Sequence, residues 1–437
     1  MKYYLAIDLG ASSGRHVIGY LKDGKVVLKE IYRFKTGMSS SADGLVWNIP
    51  LFLREIKNGI KKAFDLYKDI ESLSIDTWGV DYVLMDKDKE IPPFYAYRNS
   101  RCVEASEKVH KIIAFEKLYS KTGIQFASFN TIYQLFDDLK KGRLKKATDY
   151  LMLPSYFSYK LTGVKTHEYT EESTGALLDP SKKDYNFEVI DALGLPRKLF
   201  NKIENPGKFV GYLTPEVQKE VGGNTKVILC ASHDTGSAFE SIDAPDDGVI
   251  LSSGTWSLLG IKSSKPIVNK ASLSANYTNE GGVGYIRFLK NIMGMYIANR
   301  VSEETQVNFR NINVLKESKY TKTFDVNDES LMAPEKMKEA VLKLLKKDPP
   351  TSIVDLYSSI YHSLALSYKK AIDELEKITD NKYNSIYIVG GGAKNKNLNK
   401  IIEKETNRKV VALPIEATAY GNIKIQMKAS KELWEKK

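Results

Sequence analysis

The stretch from Ala231 to Ser257 contains the densest group of side chains that could perform chemistry. Within it, Asp234 lies between His233 and Thr235, and a second polar turn, Ser252 to Thr255, follows an apolar run. Polar turns between strand-like runs typically hold functional groups on a rigid sheet. Asp234 is therefore a candidate catalytic carboxylate. It could instead cap a short helix, because an Asp side chain accepts the free backbone N–H groups at a helix start.

Two further interpretations apply to the same segment. Ser237 and Glu240 have the spacing of a capping box, which also predicts a helix start. The run Asp-Thr-Gly-Ser beginning at Asp234 matches the catalytic motif of aspartic proteases, which need two aspartates sharing one proton. No second Asp-Thr-Gly or Asp-Ser-Gly occurs in the chain, and the long helical pattern of residues 352–378 is unlike an all-β protease. Capping and catalysis both remain open on local grounds.

Length and composition indicate a two-domain globular protein. The chain has 437 residues, more than the roughly 250 to 300 at which a single core stops growing. A ligand site in a cleft between domains is therefore expected. Apolar residues make up 42% of the chain, so a sizeable core is expected rather than disorder. The net charge of +11 is scattered over helical patterns, which favours solvated helix faces over a nucleic-acid-binding stripe.

Cysteine use and the hydrophobic pattern indicate the compartment. Cys102 and Cys230 are the only cysteines and have no spacing typical of zinc or redox sites, which favours a reducing cytoplasm. The start, MKYYLAIDLG, is a strand pattern rather than a signal peptide, and no apolar run is long enough for a membrane span. We expect a cytoplasmic protein with no membrane partner.

The chain opens with a strand pattern, Tyr3 to Ile7, and a polar loop from Asp8 to Arg15. The strand pattern resumes in HVIGYL and reaches the hairpin signal Asp23-Gly24, so three antiparallel strands are predicted. The loop contains two glycines and two serines, and its backbone N–H groups could face phosphate oxygens. A plain Gly/Ser hairpin explains the same residues equally well.

A helix is predicted over residues 47–65, followed by a strand pair at residues 73–76 and 82–85. Between these strands, Trp78 and Asp81 beside Gly79 suit a sugar, because an aromatic face can cover its C–H surface and a carboxylate can accept its hydroxyl hydrogen bonds. A tryptophan packed in the core fits the pattern too. Residues 97–160 are mainly helical in pattern.

Later signals complete the first domain. A helix is predicted to stop at Gly163, and a strand to cover Asn224 to Cys230. Pro245 and the Asp-Asp-Gly that follows it form a plausible hinge, so the first domain is predicted to end near Asp243.

The second half begins with the strand patterns VILSS and SLLGI. A polar, glycine-rich loop is predicted for Asn276 to Gly284, a helix for Arg287 to Val301, and a long helix for Ser352 to Ile378. A strand at Ser385 to Val389 then leads into Gly390-Gly391-Gly392 and another helix, a geometry that can place a nucleotide against backbone amides. This loop lacks the dinucleotide G-x-G-x-x-G spacing, and the chain has no Walker A pattern.

Several motifs, in order, resemble the FGGY carbohydrate kinases, of the superfamily that includes actin and the heat-shock ATPases. They are DLGASSGR, IDTWGVDYVLMD, ASHDTGSA, SSGTWSLLG, TNEGG followed by LKNIMG, and EATAYGN. The resemblance spans essentially the whole chain. It implies an α/β fold of two ribonuclease H-like domains with the active site in the interdomain cleft. Residues 1–243 would bind the sugar and carry the catalytic base, and residues 244–437 would bind ATP.

The resemblance also assigns roles to individual residues. Asp234 is the implied catalytic base, and Asp8 is associated with Mg²⁺ through water. Implied ATP contacts are Ala11, Ser12, Ser13, Gly14, Arg15, Thr255, Asn299 and Gly391. Implied sugar contacts are Gly79, His233, Asp234, Thr235 and Asn291. The chain departs from the pattern at Asn99, where members often have Asp, and at Asn299, where Gln is frequent.

The activity implied by the resemblance is transfer of the ATP γ-phosphoryl group to a ketose, with L-rhamnulose at its 1-hydroxyl as the expected acceptor. The expected partners are therefore the sugar, ATP and Mg²⁺, with no nucleic acid. Another ketose or polyol, such as fuculose, ribulose or xylulose, remains an alternative. A non-enzymatic ATP-dependent switch of the same superfamily would bind ATP without sugar-stimulated ADP release.

Overall fold

The computed structural model describes residues 1–309, 312–332, 334–413 and 416–431. These residues form two compact units. The first comprises Met1–Ser241, Lys262–Phe288 and the described residues from Ala417 onward, and the second comprises Ile242–Ile261 and the described residues of Leu289–Glu416. The chain thus returns to the first unit twice after residue 243. The division of roles between a sugar-binding and an ATP-binding domain remains a prediction, and residues 432–437 of the second predicted domain lie outside the described residues.

The strands are numbered along the chain. Their bounds are β1 Tyr3–Leu9, β2 Ser13–Lys22, β3 Lys25–Lys35, β4 Met38–Ser41, β5 Gly44–Trp47, β6 Ile70–Thr77, β7 Tyr82–Asp86, β8 Lys89–Glu90, β9 Asp149–Met152, β10 His167–Glu168, β11 Leu178–Asp179, β12 Asp184–Tyr185, β13 Ile203–Glu204, β14 Phe209–Tyr212, β15 Lys226–Ile228, β16 Gly248–Ser253, β17 Trp256–Ser263, β18 Thr278–Gly281, β19 Ile286–Met293, β20 Ser385–Val389 and β21 Lys409–Ala412.

The α-helices are numbered in the same way. Their bounds are α1 Ile49–Leu66, α2 Cys102–Ile112, α3 Phe115–Thr122, α4 Thr131–Lys140, α5 Leu153–Thr162, α6 Tyr169–Glu172, α7 Phe187–Ala192, α8 Pro215–Val221, α9 Asp234–Glu240, α10 Lys270–Ser274, α11 Tyr296–Thr305, α12 Val314–Glu317, α13 Met337–Leu344, α14 Ile353–Thr379, α15 Lys396–Thr406 and α16 Ala417–Ala429. None of the helices in the described part of the chain combines the length and the apolar composition that a membrane crossing requires.

The first unit is built on a six-stranded sheet of order β14-β15-β6-β1-β2-β3. Strands β1, β2 and β3 are consecutive and antiparallel, as predicted. Asp23 and Gly24, which join β2 to β3, have φ values of 52° and 73°, the left-handed backbone that a two-residue hairpin turn requires. Strand β6 pairs parallel to β1, and β15 pairs parallel to β6, so these three strands end at the same sheet edge.

Helices pack on this sheet through apolar stripes. The predicted helix over residues 47–65 is α1, where Asn48 accepts the Leu51 backbone N–H and the buried side chains recur at helical spacing. Those side chains are Phe52, Ile56, Ile60 and Ala63. Helix α16 covers the sheet as well: its Ala419, Ile423 and Met427 form one cluster with Tyr4, Ala6 and Val17. This packing is why the end of the chain groups with the first unit.

Helix α16 also lies very close to α9. A Cβ atom placed on Gly421 would lie 1.8 Å from the Ser237 carbonyl oxygen, so the backbones can approach this closely only because residue 421 has no side chain. Lys428 Nζ forms an ion pair with Glu240 Oε1 at 2.7 Å near the end of α9. The late helix is therefore an integral part of the first unit.

The second six-stranded sheet has the order β18-β19-β17-β16-β20-β21. The predicted strands VILSS and SLLGI are confirmed as the antiparallel pair β16 and β17. Strands β16, β20 and β21 pair parallel to one another. The long predicted helix is confirmed as α14, which begins after Ser352, whose side chain accepts the Asp355 backbone N–H.

Three predictions of secondary structure are wrong. The helix predicted for Arg287 to Val301 is strand β19 followed by helix α11, with Gly294 between them. Short apolar runs fit a buried strand and a buried helix equally well, and here burial on both faces decides for the strand. The predicted loop at Asn276 to Gly284 contains the buried strand β18. The predicted strand pair at residues 73–76 and 82–85 belongs to two different sheets, because Val80, at φ 71°, redirects the chain.

Candidate active site

Three aspartates lie at the common edge of the first sheet. Asp8 near the end of β1 is in register with Asp76 of β6, so the two carboxylates occupy neighbouring strand ends. The next residue, Thr77, forms a parallel bridge with His233 and donates its backbone N–H to Ser232. Asp234 therefore starts α9 directly beside the other two carboxylates. Carboxyl ends of parallel strands are a common place for catalytic groups, because a rigid sheet holds the loops that follow.

The first Gly/Ser turn is held tightly against Asp8. Arg15 binds the Asp8 carboxylate through Nε at 2.8 Å and Nη2 at 2.7 Å. Ala11 and Ser12 form the turn proper, whereas the remaining residues of the predicted phosphate loop, Ser13, Gly14 and Arg15, already belong to β2. Gly10 donates its backbone N–H to the Ser13 carbonyl, which closes the turn. The structure thus brings Arg15 to a carboxylate and leaves Ser12 exposed at the tip.

Asp76 is fully buried, and the sequence prediction did not include it. Its Oδ2 accepts a hydrogen bond from Asn422 Nδ2 at 2.6 Å, whereas Oδ1 has no hydrogen-bond partner among the described residues. Burial and the nearby negative charges of Asp8 and Asp234 raise the pKa of Asp76 well above its ordinary value. Its surroundings therefore disfavour the charged form of Asp76.

Asp234 is the first residue of α9, and His233 holds the cap position. No side chain caps this helix, so the prediction that Asp234 or a Ser237/Glu240 box caps it is wrong. Ser237 instead donates its hydroxyl to the Ala231 carbonyl. The Asp234 side chain is 32% exposed, the most accessible of the groups at this edge. The helix start favours its negative charge, but burial raises the pKa of Asp234, and Asp8 acts in the same direction.

Two neighbours hold the Asp234 carboxylate. Thr235 donates its hydroxyl to Asp234 Oδ1 at 3.1 Å, and His233 Nε2 lies 3.5 Å from the same oxygen. His233 in turn contacts the buried Arg287 through Nδ1 at 3.1 Å. Although burial opposes its charge, the Arg287 guanidinium lowers the pKa of Glu280, which lies against it at 3.1 Å. The result is a continuous row of polar groups that ends at an accessible carboxylate.

Gly79 lies two residues beyond the bridge at Thr77 and faces Thr174. A Cβ atom there would lie 2.9 Å from Thr174 Cγ2, so only glycine fits. Trp78 is buried and donates its indole N–H to Asp81 Oδ2 at 3.0 Å, and its ring packs against Trp47 at 4.3 Å between centroids. Trp78 is therefore a core residue, and Gly79 remains the candidate for sugar contact in this loop.

Asn99, where the chain departs from the family pattern, joins two loops of the first unit. Its amide donates to the carbonyls of Asp43 and Leu45, and its Oδ1 accepts the backbone N–H of Arg101. These three hydrogen bonds connect the two loops, and Gly44 packs directly against the Asn99 amide.

The second unit brings together the two remaining glycine turns. A Cβ atom on Gly390 would lie 2.7 Å from the Ser253 carbonyl oxygen, and one on Gly392 would lie 2.0 Å from Ser253 Oγ. The triple-glycine loop therefore lies directly on the turn that ends in Thr255. Gly391 points into open space, with no heavy atom of the described residues within 4 Å of a Cβ placed there. Backbone N–H groups in such a pair of turns can bind phosphate oxygens.

The last two predicted contacts also lie in the second unit. Asn291 is half-buried on β19, and Asn299 is half-buried in the first turns of α11. The backbone just before α11 is tied to the same turn, because Met295 donates to the Gly254 carbonyl at 2.9 Å and Tyr296 to the Thr255 carbonyl at 3.3 Å. The turn from Ser253 to Thr255 therefore contacts both the loop that contains Gly391 and the start of α11, the helix that carries Asn299.

Sequence reasoning missed Asp76, Arg287 and Glu280. An acid at the end of the strand before Trp78 was a usable signal for Asp76, since Asp8 was selected on the same ground. Arg287 and Glu280 carried no such signal, because their motif was interpreted as a loop and a helix.

The carboxylates fit Mg²⁺ in chemical type, because it prefers oxygen ligands and keeps several waters. Throughout the four described ranges, no three Asp, Glu, His or Cys side chains approach closely enough to hold a metal ion directly. The orphaned Asp76 Oδ1 and the Arg15-bound Asp8 agree better with contact through water than with a direct carboxylate cage.

Known proteins match this chain over nearly its whole length. Residues 3–239 match the N-terminal domain and residues 249–430 the C-terminal domain of the FGGY family of carbohydrate kinases. A rhamnulokinase of Oceanobacillus iheyensis is 39% identical, over 97% of this chain and 93% of its own. A rhamnulokinase of Halalkalibacterium halodurans is also 39% identical, over 99% of this chain and 95% of its own.

Among solved structures, a ligand-bound xylulose kinase from Lactobacillus acidophilus superposes with a TM-score of 0.83 at 16% identity, covering 100% of this chain and 91% of that one. At that identity the match shows the fold alone, and the fold is that of a two-domain sugar kinase. The domain matches and the full-length similarity at 39% identity agree with this fold. The chain belongs to the FGGY family of carbohydrate kinases.

Proposed function

We propose that the chain transfers the γ-phosphoryl group of ATP to the 1-hydroxyl of L-rhamnulose, forming L-rhamnulose 1-phosphate and ADP, a step of rhamnose breakdown. The observation that carries the proposal is an accessible Asp234 carboxylate at a strand edge, with His233 and Thr235 on one of its oxygens. The choice of sugar rests on full-length similarity to proteins named rhamnulokinase.

In this proposal Asp234 is the general base. The sugar oxygen attacks the γ-phosphorus as the bond to ADP breaks, and the hydroxyl proton passes to Asp234. A carboxylate suffices because the hydroxyl becomes acidic only as it bonds to phosphorus, and the raised pKa of Asp234, caused by burial, makes it a better proton acceptor. His233, Thr235 and Gly79 are the proposed sugar contacts beside this carboxylate, and Asn291 is assigned as a further sugar contact.

Charge neutralisation supplies much of the rate enhancement in phosphoryl transfer. We assign the phosphates to backbone amides of the turns at Ala11 to Arg15 and at Thr255, and the adenosine to Gly391 and Asn299. Asp8 would hold Mg²⁺ through water, and the ion would supply positive charge that offsets the charge of the phosphates. The raised pKa of Asp76, caused first by burial, disfavours a third negative charge at this edge, where such a charge would repel the phosphates.

We place the reaction in the cytoplasm. Cys102 and Cys230 are both buried and free, which suits a reducing compartment.

The test is ADP release by the purified protein with ATP, Mg²⁺ and a panel of L-rhamnulose, L-fuculose, L-ribulose, D-xylulose and glycerol. We expect L-rhamnulose to give the highest kcat/KM. A higher kcat/KM for another sugar would support kinase activity but show that L-rhamnulose is not the preferred substrate. ATP binding without stimulation by any sugar would contradict the kinase proposal and favour an ATP-dependent switch. An Asp234→Asn sample run in parallel excludes a contaminating kinase.

A further inference from the structure

Arg287 is an unusual residue to find behind a catalytic carboxylate. It is 0% exposed, the largest fully buried side chain in the described residues, and it lies beneath α9, where a Cβ on Gly236 would be 3.6 Å from its guanidinium carbon. Burying a guanidinium is costly unless its charge and its N–H groups find partners. Its partners here therefore identify what this arginine does.

Each of the three guanidinium nitrogens has a hydrogen-bond partner. Nε donates to the Gly281 carbonyl at 2.7 Å, and Nη2 approaches the Thr170 carbonyl at 3.4 Å. Both Nη1 and Nη2 lie 3.1 Å from His233 Nδ1. The charge is balanced by Glu280, whose Oε2 lies 3.1 Å from Nη1.

A guanidinium has only donors and keeps its proton at any physiological pH. The ring nitrogen that faces two of its N–H groups must therefore present a lone pair, since a proton on Nδ1 would point at the protons of two nitrogens that lie only 3.1 Å from Nδ1. Glu280 Oε2, 3.3 Å from Nδ1, is the competing partner, but it has no hydrogen bond of acceptable geometry in the described residues. The proton of a neutral imidazole then has one remaining place, Nε2.

We propose that Arg287, anchored by Glu280, fixes His233 as the neutral tautomer protonated on Nε2, so that this N–H faces Asp234 and the acceptor sugar. Nε2 is 3.5 Å from Asp234 Oδ1, too far for a strong bond, so its proton is available to a sugar oxygen that contacts both groups from one side. Arg287 and Glu280 are thus positioning residues that act through His233. The use of this proton on a sugar rests on the proposed function, whereas the tautomer itself does not.

A neutral donor at this place has a chemical advantage. An imidazolium beside Asp234 would stabilise the carboxylate and weaken it as a base. The neutral Nε2–H orients the sugar hydroxyl and leaves the proton affinity of Asp234 intact. The main chain is fixed here, because the His233 backbone N–H binds Thr170 Oγ1 at 3.3 Å and the residue is bridged to Thr77, and the Arg287 contact at Nδ1 orients the ring.

The test is nitrogen NMR of the ligand-free protein labelled with ¹⁵N-histidine. The chain has five histidines, so the spectrum is simple, and a His233→Gln sample identifies the two His233 signals by their loss. We expect an unprotonated Nδ1 and a protonated Nε2. A proton on Nδ1, or on both nitrogens at neutral pH, would overturn the proposal whatever the enzyme phosphorylates.

Variants then test the cause. Arg287→Lys and Glu280→Gln keep a donor on Nδ1 and should keep the tautomer. Arg287→Met combined with Glu280→Gln removes both charges together, which avoids an unpaired buried carboxylate, and should give mixed tautomers. Unchanged His233 signals in this double variant would contradict the role of Arg287. Arg408→Met, which removes a similarly buried arginine from Glu376 and Asp373, is the matched control and should leave His233 unchanged.

Kinetic measurements test whether the Nε2 proton of His233 contributes to turnover. We expect the double variant to lose about tenfold in kcat, the value of one ordinary hydrogen bond, with rescue by Arg287→Lys. His233→Gln, whose amide N–H can replace Nε2–H, should keep more turnover than His233→Asn. Equal turnover of the two would show that the Nε2 proton is not used. Absence of sugar-stimulated turnover in the wild-type protein would refute the proposed function and leave the tautomer result standing.

Discussion

Two buried histidines of the first unit lie between charged groups and differ in what faces each ring nitrogen. His233 has a guanidinium on Nδ1 and an accessible carboxylate beyond Nε2. His167 has carboxylates on both sides, Glu172 at 2.9 Å from Nδ1 and Asp149 at 3.1 Å from Nε2. Although burial opposes the charge, hydrogen bonds to Asp149 and Glu172 raise the pKa of His167 to about 9.

The comparison shows how neighbours decide what a buried histidine does. Between two carboxylates, both ring nitrogens of His167 donate, and the imidazolium serves as a cation that holds the core together. Against an arginine, one nitrogen of His233 must accept, and its remaining proton is directed at the catalytic edge. One cluster is closed to solvent and the other ends at a 32% exposed carboxylate, so we expect mutations to affect stability in the first and turnover in the second.

The largest expected effect is on turnover, from Asp234→Asn in the His233 cluster. Loss of the general base should lower kcat by about a hundred- to ten-thousand-fold while sugar binding and the thermal midpoint stay close to wild type. Coupled ADP-release kinetics, sugar titration calorimetry and thermal unfolding measure the three quantities. Near-normal turnover would contradict the assignment of Asp234 as the base. It would also contradict the expectation that mutations in the His233 cluster affect turnover.

The His167 cluster should respond in the opposite way to Glu172→Gln. Breaking this buried ion pair leaves a charge without one of its partners and should lower the free energy of unfolding by about 3 to 5 kcal/mol. The kcat of the folded protein should not change. Urea unfolding at neutral pH, with ADP release measured on the same samples, provides the check. A loss of turnover with unchanged stability in Glu172→Gln would show that the His167 cluster serves catalysis rather than stability.

The pH dependence of stability isolates the same cation. The folded state holds the His167 proton up to a pKa of about 9, whereas an unfolded histidine releases it near pH 6.5. The contribution is thus fully present below pH 6.5 and is lost as the pH rises to 9, a change of about 3 kcal/mol. Urea unfolding across this range should show wild-type stability falling toward that of Glu172→Gln. A constant difference between the two proteins would argue against a charged His167.

Removing one hydroxyl from each cluster is the mildest test. Tyr185→Phe removes the hydroxyl that lies 3.0 Å from His167 Nδ1 and should cost about 1 kcal/mol of stability without a change in kcat. Thr235→Val removes the hydroxyl that binds Asp234 and should lower kcat by roughly tenfold with little loss of stability. Thermal unfolding and steady-state kinetics on both variants measure the contrast. Equal losses of stability would show that both hydroxyls serve the core.

Local sequence patterns predicted the parts of the site that depend on neighbours in the chain. Asp8 and Asp234 each follow a strand pattern and precede a turn, so their position at a sheet edge could be predicted. The contacts that define their chemistry are not local. Asn422 is 346 residues from Asp76, and Arg287 is 54 residues from His233. No periodicity reveals such pairs, because they arise only when the strands and α16 pack together.

The error over residues 287–301 has its physical origin in tertiary burial. Residues 287–301 hold apolar side chains that suit a helix by spacing, and only burial on both faces reveals that the first part is strand β19. The mistake also concealed the role of Arg287, since a predicted helix over residues 287–301 gave no indication of a contact with a histidine 54 residues away. Tertiary burial therefore determines that these residues form strand β19, and it places Arg287 where it can contact His233.

The position of α16 has a consequence for how this protein is made. The helix is translated after the second unit, yet its Ala419, Ile423 and Met427 cover the apolar face formed by Tyr4, Ala6 and Val17. Until residue 429 is synthesised, that face has no cover and Asp76 lacks its Asn422 partner. The nascent first unit is thus expected to wait, incomplete and open to chaperones, while the whole second unit is translated.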